Sequence, residues 1–150
     1  MLDLTDKTIL RHLQNNGKKT IRELSVNLKM TTSPVFERIK DMEKEGVIKK
    51  YVALADHKKI DRGQIVFCNV TMSDYSTKTI SNFEQEVAEM PEVLECYHFA
   101  GEVDYQLKVL VKDIDAYYEF LQAFADLPMV KVHSSIVVLK EVKYSTEIPV

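Results

Sequence analysis

Residues 20–46 read TIRELSVNLKMTTSPVFERIKDMEKEG, and this stretch contains two helical patterns separated by a short turn. Thr20 and Glu23 have the S/T-x-x-E spacing of a capping box, which predicts that a helix begins there. A second helix is expected after the turn Lys29-Met30-Thr31. Two short helices joined by such a turn predict a helix-turn-helix module.

The helix after the turn has two possible starts. Thr31 is a plausible N-cap, but Pro34 favours the first position of a helix and would make Ser33 the cap. Gly46 predicts that this helix ends near Glu45. Helical spacing predicts a buried face, and the residues expected on it are Val35, Phe36, Ile39 and Met42.

A further helix is expected before this pair, capped by Thr5, with Ile9, Leu10 and Leu13 on its buried face. Residues 47–54 alternate apolar and polar side chains only roughly, as a wing or linking strand does. Residues 1–54 are therefore predicted to form a winged helix-turn-helix DNA-binding domain, followed by a linker at 55–63.

The last helix of such a module lies in the major groove of DNA, so its outer face supplies the candidate contacts. A rotation of about 100° per residue identifies the positions opposite the core. Near the amino end the side chains suit base edges, and farther along they suit phosphates, or guanine in the case of arginine. An ordinary solvated helix gives the same pattern. The candidate DNA-binding residues are Thr32, Ser33, Glu37, Arg38, Lys40 and Lys44.

The charge of the chain is distributed unevenly. Residues 1–62 hold 14 Lys and Arg against 9 Asp and Glu, whereas residues 63–150 hold 6 against 14, giving +5 and −8. Phosphate neutralisation supplies most non-specific affinity for nucleic acid, so the asymmetry favours DNA as a partner of the first half only. Chance segregation of charge is the alternative.

The second half changes its periodicity at Gly63. Its predicted order is strand, helix, strand, strand, helix, strand, which is the ferredoxin-like split pattern of an α+β domain spanning 64–150. Such a domain has two helices on one face of an antiparallel sheet and leaves the other face free for a partner. The expected strands are 65–72, 93–100, 105–111 and 130–140, and the expected helices are capped by Thr77 and Asp115.

Two of these segments also predict which side chains are buried. In strand 105–111, Tyr105, Leu107, Val109 and Val111 point one way while Gln106 and Lys108 point the other, as in a sheet covered on one face. In the helix capped by Asp115, the expected buried stripe is Tyr118, Leu121, Ala125 and Phe124.

Residues 30–48, at the predicted recognition helix, resemble the corresponding segment of the leucine-responsive/asparagine-responsive (Lrp/AsnC) regulators. Residues 95–108 resemble the effector loop of that family and its flanking strands. Shorter similarities at 2–10, 23–25 and 137–143 extend the resemblance over nearly the whole chain. It implies a DNA-binding domain joined to a ligand-sensing domain, which pairs through its sheet into homodimers that often assemble into octamers.

The resemblance also implies where an effector, usually an amino acid, would bind. The family's Gly-x-x-Asp loop corresponds to Gly101 and Asp104. The commoner sequences of this loop are Gly-Asp-Phe-Asp and Gly-Asp-Tyr-Asp, whereas this chain has Glu102 and Val103 at the two middle positions. An amino-acid zwitterion needs backbone donors and an acceptor for its ammonium group, and a glycine lets the backbone approach closely. The implied effector-binding residues are His98, Ala100, Gly101, Glu102, Asp104, Tyr105, Ser134, Ser135 and Ile136.

Other classes of site have little support in the sequence. Cys68 and Cys96 lie in apolar alternating segments and do not form a CxxC pair, which favours buried thiols in a reducing compartment. His98 and His133 lack zinc-ligand spacing, so no metal site is expected. Neither a phosphate loop nor a nucleophile motif is present, so we expect no enzyme and no cofactor.

The chain has no apolar run long enough to span a bilayer and no basic-apolar start, so a cytoplasmic location without a membrane partner is expected. The partners expected are double-stranded DNA, an amino-acid effector and further copies of the chain. One alternative is an architectural, chromatin-like protein that binds DNA with little sequence selectivity. Another is a regulatory subunit of an amino-acid enzyme, which the basic first half disfavours.

Overall fold

The computed structural model describes all of residues 1–150. By its internal contacts the chain divides into two compact units, residues 1–54 together with 143–150, and residues 55–142. The tail 143–150 thus joins the first unit, although its place in the sequence suggested the second domain. Residues 55–63, expected as a linker, join the second unit and contain a short 3-10 helix, His57–Ile60.

The first unit contains three helices: α1 at Leu4–Asn15, α2 at Ile21–Leu28 and α3 at Thr32–Lys44. The capping box at Thr20 is confirmed, because Glu23 donates its N–H to the Thr20 hydroxyl and accepts the Thr20 N–H. The prediction that Thr5 caps α1 is wrong. Asp3, two residues earlier, is the cap, since its reciprocal pair with Asp6 satisfies two free amides.

Thr31 precedes α3 as its cap residue, which decides between the two predicted starts, and Gly46 follows the helix with a positive φ of 72°. The core of this unit confirms most of the predicted buried face. Phe36 is the exception, because its side chain is 44% exposed. It lies on the margin of the stripe, above the start of α2. The buried residues are Ile9, Leu13, Leu24, Val35, Ile39 and Met42.

Residues 47–54 form no strand, so the predicted wing or linking strand is not present in this chain. A strand needs a second strand hydrogen-bonded beside it, and the one sheet of the chain contains no strand from this segment. Val47, Tyr51, Val52 and Leu54 are exposed along it. The helix-turn-helix is therefore formed by the three helices alone.

The C-terminal tail is held against α1 by three hydrogen bonds. The Gln14 side chain accepts from the Ile148 N–H at 2.6 Å and donates to the Ile148 carbonyl at 3.0 Å. Asn15 donates to the Glu147 carboxylate at 3.2 Å. One amide side chain thus pairs with both polar groups of a single backbone residue, as a neighbouring strand would.

The second unit has the predicted order of elements and the predicted α+β ferredoxin-like fold. Its four strands form one antiparallel sheet in the order β2-β3-β1-β4. Two helices pack on one face, where Phe83 and Phe124 contact the inward side chains of the central strands. The elements are β1 Gln64–Met72, α4 Thr77–Glu89, β2 Val93–His98, β3 Tyr105–Val111, α5 Ile114–Ala125 and β4 Val130–Val137.

The bounds of β3 and its alternating burial are confirmed. The caps of both helices are not those predicted: Ser76 caps α4, and Asp113 caps α5 by accepting from the Ala116 N–H at 2.9 Å. The predicted stripe of α5 is wrong at Tyr118, which is 63% exposed, and at Ala125, which is also exposed. Phe124 is buried as expected, while Tyr117 and Phe120 take the remaining core positions.

Strands β2 and β4 end earlier than predicted, at His98 and Val137. The prediction of two buried thiols holds only for Cys68, at the centre of β1. Cys96 is exposed because β2 is an edge strand, where fewer neighbours cover an inward-facing side chain.

Candidate nucleic-acid interface and effector region

The outer face of α3 presents five of the six predicted DNA contacts. This face is rigid, because Val35 and Ile39 on the opposite side of the helix are buried in the core. Lys40 and Lys44 form no ion pair within the chain. Their charges are therefore available to a phosphate. The exposed residues of the face are Thr32, Ser33, Glu37, Lys40 and Lys44.

The amino end of α3 is suited to an anion. Thr31 occupies the cap position, yet its side chain makes no hydrogen bond to the first turn. The partial positive charge of a helix amino end favours phosphate there. The short hydroxyl side chains of Thr32 and Ser33 are exposed beside it. This end of the helix can approach the backbone or the base edges of a duplex.

Arg38 is placed differently from the other candidates. Its Nη1 lies 2.7 Å from an Asp3 carboxylate oxygen and 2.6 Å from one of Asp6. These two carboxylates raise the pKa of Arg38, with Asp6 contributing most. The hydrogen bond from the Asp6 N–H makes the largest contribution to lowering the pKa of Asp3, and the hydrogen bond from Arg38 makes the next largest. Arg38 thus joins α3 to the start of α1 and would have to leave both partners to bind DNA.

In the second unit, Asp104 fixes the loop between β2 and β3. Its carboxylate accepts from the Met72 N–H at 2.7 Å and from the Tyr75 hydroxyl at 3.1 Å, and the latter bond raises the pKa of Tyr75. Its carbonyl accepts from the Phe99 N–H at 2.8 Å. A Cβ added to Gly101 would meet nothing within 4 Å. The loop is therefore anchored at Asp104 and open at Gly101.

Tyr105 is buried behind this loop. Its hydroxyl donates to Glu84 on α4 at 2.8 Å, and its ring stacks on His98 with 4.4 Å between centroids. Burial makes the largest contribution to raising the pKa of Tyr105, and the hydrogen bond to Glu84 makes the next largest. Tyr105 therefore orients the His98 ring at the end of β2. Sequence reasoning missed Glu84, because nothing in α4 marks which acidic residue faces the sheet.

The predicted residues of β4 fall on opposite faces of the sheet. Ser134 accepts from Asn69 at 2.9 Å on the open face, and Asn69 accepts from Gln106 there, also at 2.9 Å. Ser135 bonds the Tyr117 hydroxyl at 2.6 Å on the helix face. Ile136 is half-exposed on the open face. The chain does not gather the nine predicted effector residues into one pocket.

Asn69 and Gln106 were not among the predicted site residues. Asn69 interrupts an apolar run, Ile65 to Met72, and a polar residue buried in such a strand is a signal that it has a polar partner. The resulting row of Gln106, Asn69 and Ser134 crosses three adjacent strands of the open face. It gives an otherwise partly apolar surface a polar centre.

The structure contains no group of three or more His, Cys, Asp or Glu side chains placed to hold a metal ion. None of its helices combines the length and apolar character needed to cross a bilayer.

Two family models match the chain. The Lrp/AsnC ligand binding domain matches residues 65–148, and a winged helix-turn-helix DNA-binding domain matches residues 2–49. Among curated proteins, the DNA-binding transcriptional activator DecR of Escherichia coli is 32% identical, covering 100% of this chain and 99% of that protein.

The chain is also similar to solved structures of transcriptional regulators. An AsnC family transcriptional regulator from Agrobacterium tumefaciens has a TM-score of 0.92 and 36% identity, covering 99% of this chain and 97% of its own. A transcriptional regulator from Neisseria meningitidis, solved in complex with L-methionine, has a TM-score of 0.94 and 33% identity with the same coverage.

Proposed function

Because the chain belongs to the Lrp/AsnC family of DNA-binding transcriptional regulators, we propose that it binds double-stranded DNA sequence-specifically through α3 and that an amino acid modulates this binding. The observation that carries the DNA proposal is the exposed face of α3, with two lysines that no carboxylate of the chain neutralises. A cytoplasmic location follows from the proposed target. The relatives are regulators, and no catalytic activity is proposed.

Within this face the residues have different roles. Thr32, Ser33 and Glu37, at the amino end, contact base edges. Lys40 and Lys44 contact phosphates. Arg38, held by two carboxylates, positions α3 against α1 and contributes to DNA affinity through that placement.

The test is a salt titration of DNA binding. We expect Lys40→Ala and Lys44→Ala each to weaken binding by about 10-fold and to lower the slope of log K against log salt by about 1, because each removes a phosphate contact. Lys78→Ala, on the exposed surface of α4, is the matched control and should change neither quantity. Unchanged binding in both α3 variants would contradict the assignment of this face.

Genomic footprinting of the wild-type protein addresses its selectivity. A sequence-specific regulator protects a limited set of sites, whereas an architectural protein protects many unrelated ones. Broad protection without a shared sequence would favour the architectural alternative.

For the effector, we propose that an amino acid binds at the β2–β3 loop. The opening at Gly101 leaves room for the backbone to approach a ligand carboxylate, and the neighbouring Glu102 can accept from an ammonium group. The L-methionine complex of the Neisseria regulator supports an amino acid as the class of ligand. The dispersal of the predicted residues within one chain suggests that a second copy completes the site.

Thermal denaturation with each of the twenty amino acids tests this proposal. A ligand that binds the folded state raises Tm, and at about 100 times its Kd it adds about 2.7 kcal/mol. Sedimentation with any stabilising amino acid then shows whether the assembly changes. If none of the twenty alters either Tm or sedimentation, the effector proposal fails.

The open face of the sheet is proposed as the homodimer interface, from which octamers assemble. Tyr97 and Ile136 are each about half-exposed there, around the polar row of Asn69. We expect Ile136→Lys to shift sedimentation toward the monomer. Leu139→Lys, at an exposed position beyond β4, is the control. A wild-type protein that sediments as a monomer would contradict this proposal.

A further inference from the structure

Phe36 is an aromatic side chain on the helix that the proposed function places in the major groove. The other large apolar residues in the middle of α3, Val35, Ile39 and Met42, are at most 9% exposed, whereas Phe36 is 44% exposed. It contributes to neither hydrophobic core. Burial in a core therefore does not account for a phenylalanine at this position.

The surroundings of Phe36 form a shallow groove on the candidate DNA face. The Lys40 ammonium lies 5.7 Å from the centre of the Phe36 ring, a distance at which a cation is attracted to an aromatic face. The ring is thus held beside a side chain assigned to phosphate contact. The other residues of the groove are Thr20, Ile21, Arg22, Thr32, Ser33 and Glu37.

The major groove offers one apolar group for such a ring. Among the four bases only thymine carries a methyl group at its major-groove edge, and apolar side chains recognise it by contact. Resting on the proposed DNA-binding function, we propose that Phe36 contacts a thymine methyl group and thereby makes the protein select thymine at one position of each half-site. Phe36 is then a specificity determinant, distinct from the lysines that supply affinity.

The first experiment selects DNA sequences from a random pool with purified full-length proteins. The wild type is expected to enrich a thymine at one position of each half-site. Phe36→Leu retains an apolar contact and should keep that thymine, whereas Phe36→Ala should lose selection there alone. Val26→Ala, an exposed apolar residue of α2, is the matched control and should leave the selected sequence unchanged.

The second experiment changes only the DNA. Replacing the selected thymine with deoxyuridine removes the methyl group and keeps the base pair, so it detects the contact without altering the protein. We expect wild-type affinity to fall about 4-fold, as for the loss of one buried methyl group, and Phe36→Ala to bind both DNAs equally. The comparison of the two DNAs with the wild type involves no substitution in the protein, so this part of the result does not depend on how the variants fold.

The outcomes separate the two proposals. If the wild type enriches no sequence, sequence-specific binding fails and the role of Phe36 fails with it. If the wild type enriches a sequence but binds thymine and deoxyuridine DNA equally, the inference about Phe36 is overturned and the proposed function stands. If Phe36→Ala enriches the same thymine as the wild type, the inference about Phe36 is likewise overturned and the proposed function stands.

Discussion

The two units place their candidate sites on different kinds of structure. In the first unit one helix carries the candidate DNA contacts, and five of the six lie exposed on one face. In the second unit the candidate effector residues come from a loop and three strands, and neighbours such as Ser134 and Ser135 point to opposite faces. A site on one helix is complete within a chain, whereas a site spread over a sheet depends on what else meets it.

The two units also differ in whether the lysines at their candidate surfaces are paired with carboxylates. Lys40 and Lys44 on α3 have no carboxylate partner, whereas Lys108 in the second unit lies 2.8 Å from Glu95 on the adjacent strand. An unpaired cation is available to an external anion. Lys108 is therefore satisfied within the chain, and residues 63–150 as a whole carry more acidic than basic side chains.

The largest expected effect tests whether the two sites depend on separate cores. Leu24→Ala and Leu107→Ala each remove a fully buried side chain, one in each unit, and each should lower the free energy of unfolding by about 2–5 kcal/mol. Hydrogen exchange should show lost protection mainly in the unit that carries the substitution. Equal loss in both units for Leu24→Ala would show that the cores are not separate.

A smaller effect on stability is expected for a substitution of Arg38. This substitution tests whether Arg38 positions α3 or binds DNA directly. Arg38→Ala should lower Tm by about 2 °C at neutral pH, because an ion pair at this exposure contributes little. The pair of Arg38 with Asp3 stabilises the folded state only while Asp3 is ionised, so the contribution of that pair is present above the ordinary pKa of 3.8 and is lost as the pH falls through the lowered pKa of Asp3. Differential scanning calorimetry from pH 7 to about pH 3 checks this.

The difference in Tm between the wild type and Arg38→Ala should therefore shrink at low pH. Lys40→Ala is the control and should leave Tm unchanged throughout. A salt slope lowered by Arg38→Ala as much as by Lys40→Ala would instead assign Arg38 to a phosphate.

The smallest effect on stability is expected at Gly101, where the sheet-based site is most open. Gly101→Ala adds a Cβ into empty space, so the Tm of the free protein should change by less than about 1 °C. The stabilisation by the amino-acid effector should fall, since the glycine gives the ligand its close approach. A full ligand response in this variant would place the effector elsewhere.

The sequence predicted the fold well because its signals are local and repeat. The capping box at Thr20 and the alternation in β3 each depend on residues a few positions apart. The predicted caps Thr5 and Asp115 are wrong, because an aspartate two residues earlier in each case, Asp3 or Asp113, accepts the first-turn amide. Competing caps that close together cannot be separated by spacing alone.

The sites were predicted less completely, for a related reason. Helical periodicity identified the face of α3, yet it could not show that Asp3 and Asp6, from another helix, hold Arg38. It also counted Phe36 as buried, because a residue at the margin of a stripe has the same spacing as one at its centre. In the sheet, the partner of Asn69 depends on strand register, which no single segment encodes.

The hydrogen bonds between Gln14 and the backbone of Ile148 also constrain the order in which these parts of the chain can fold during synthesis, because the two residues are far apart in the sequence. The ribosome makes the three helices first, but residues 143–150, which belong to the same compact unit, leave the exit tunnel only after residues 55–142 of the second unit.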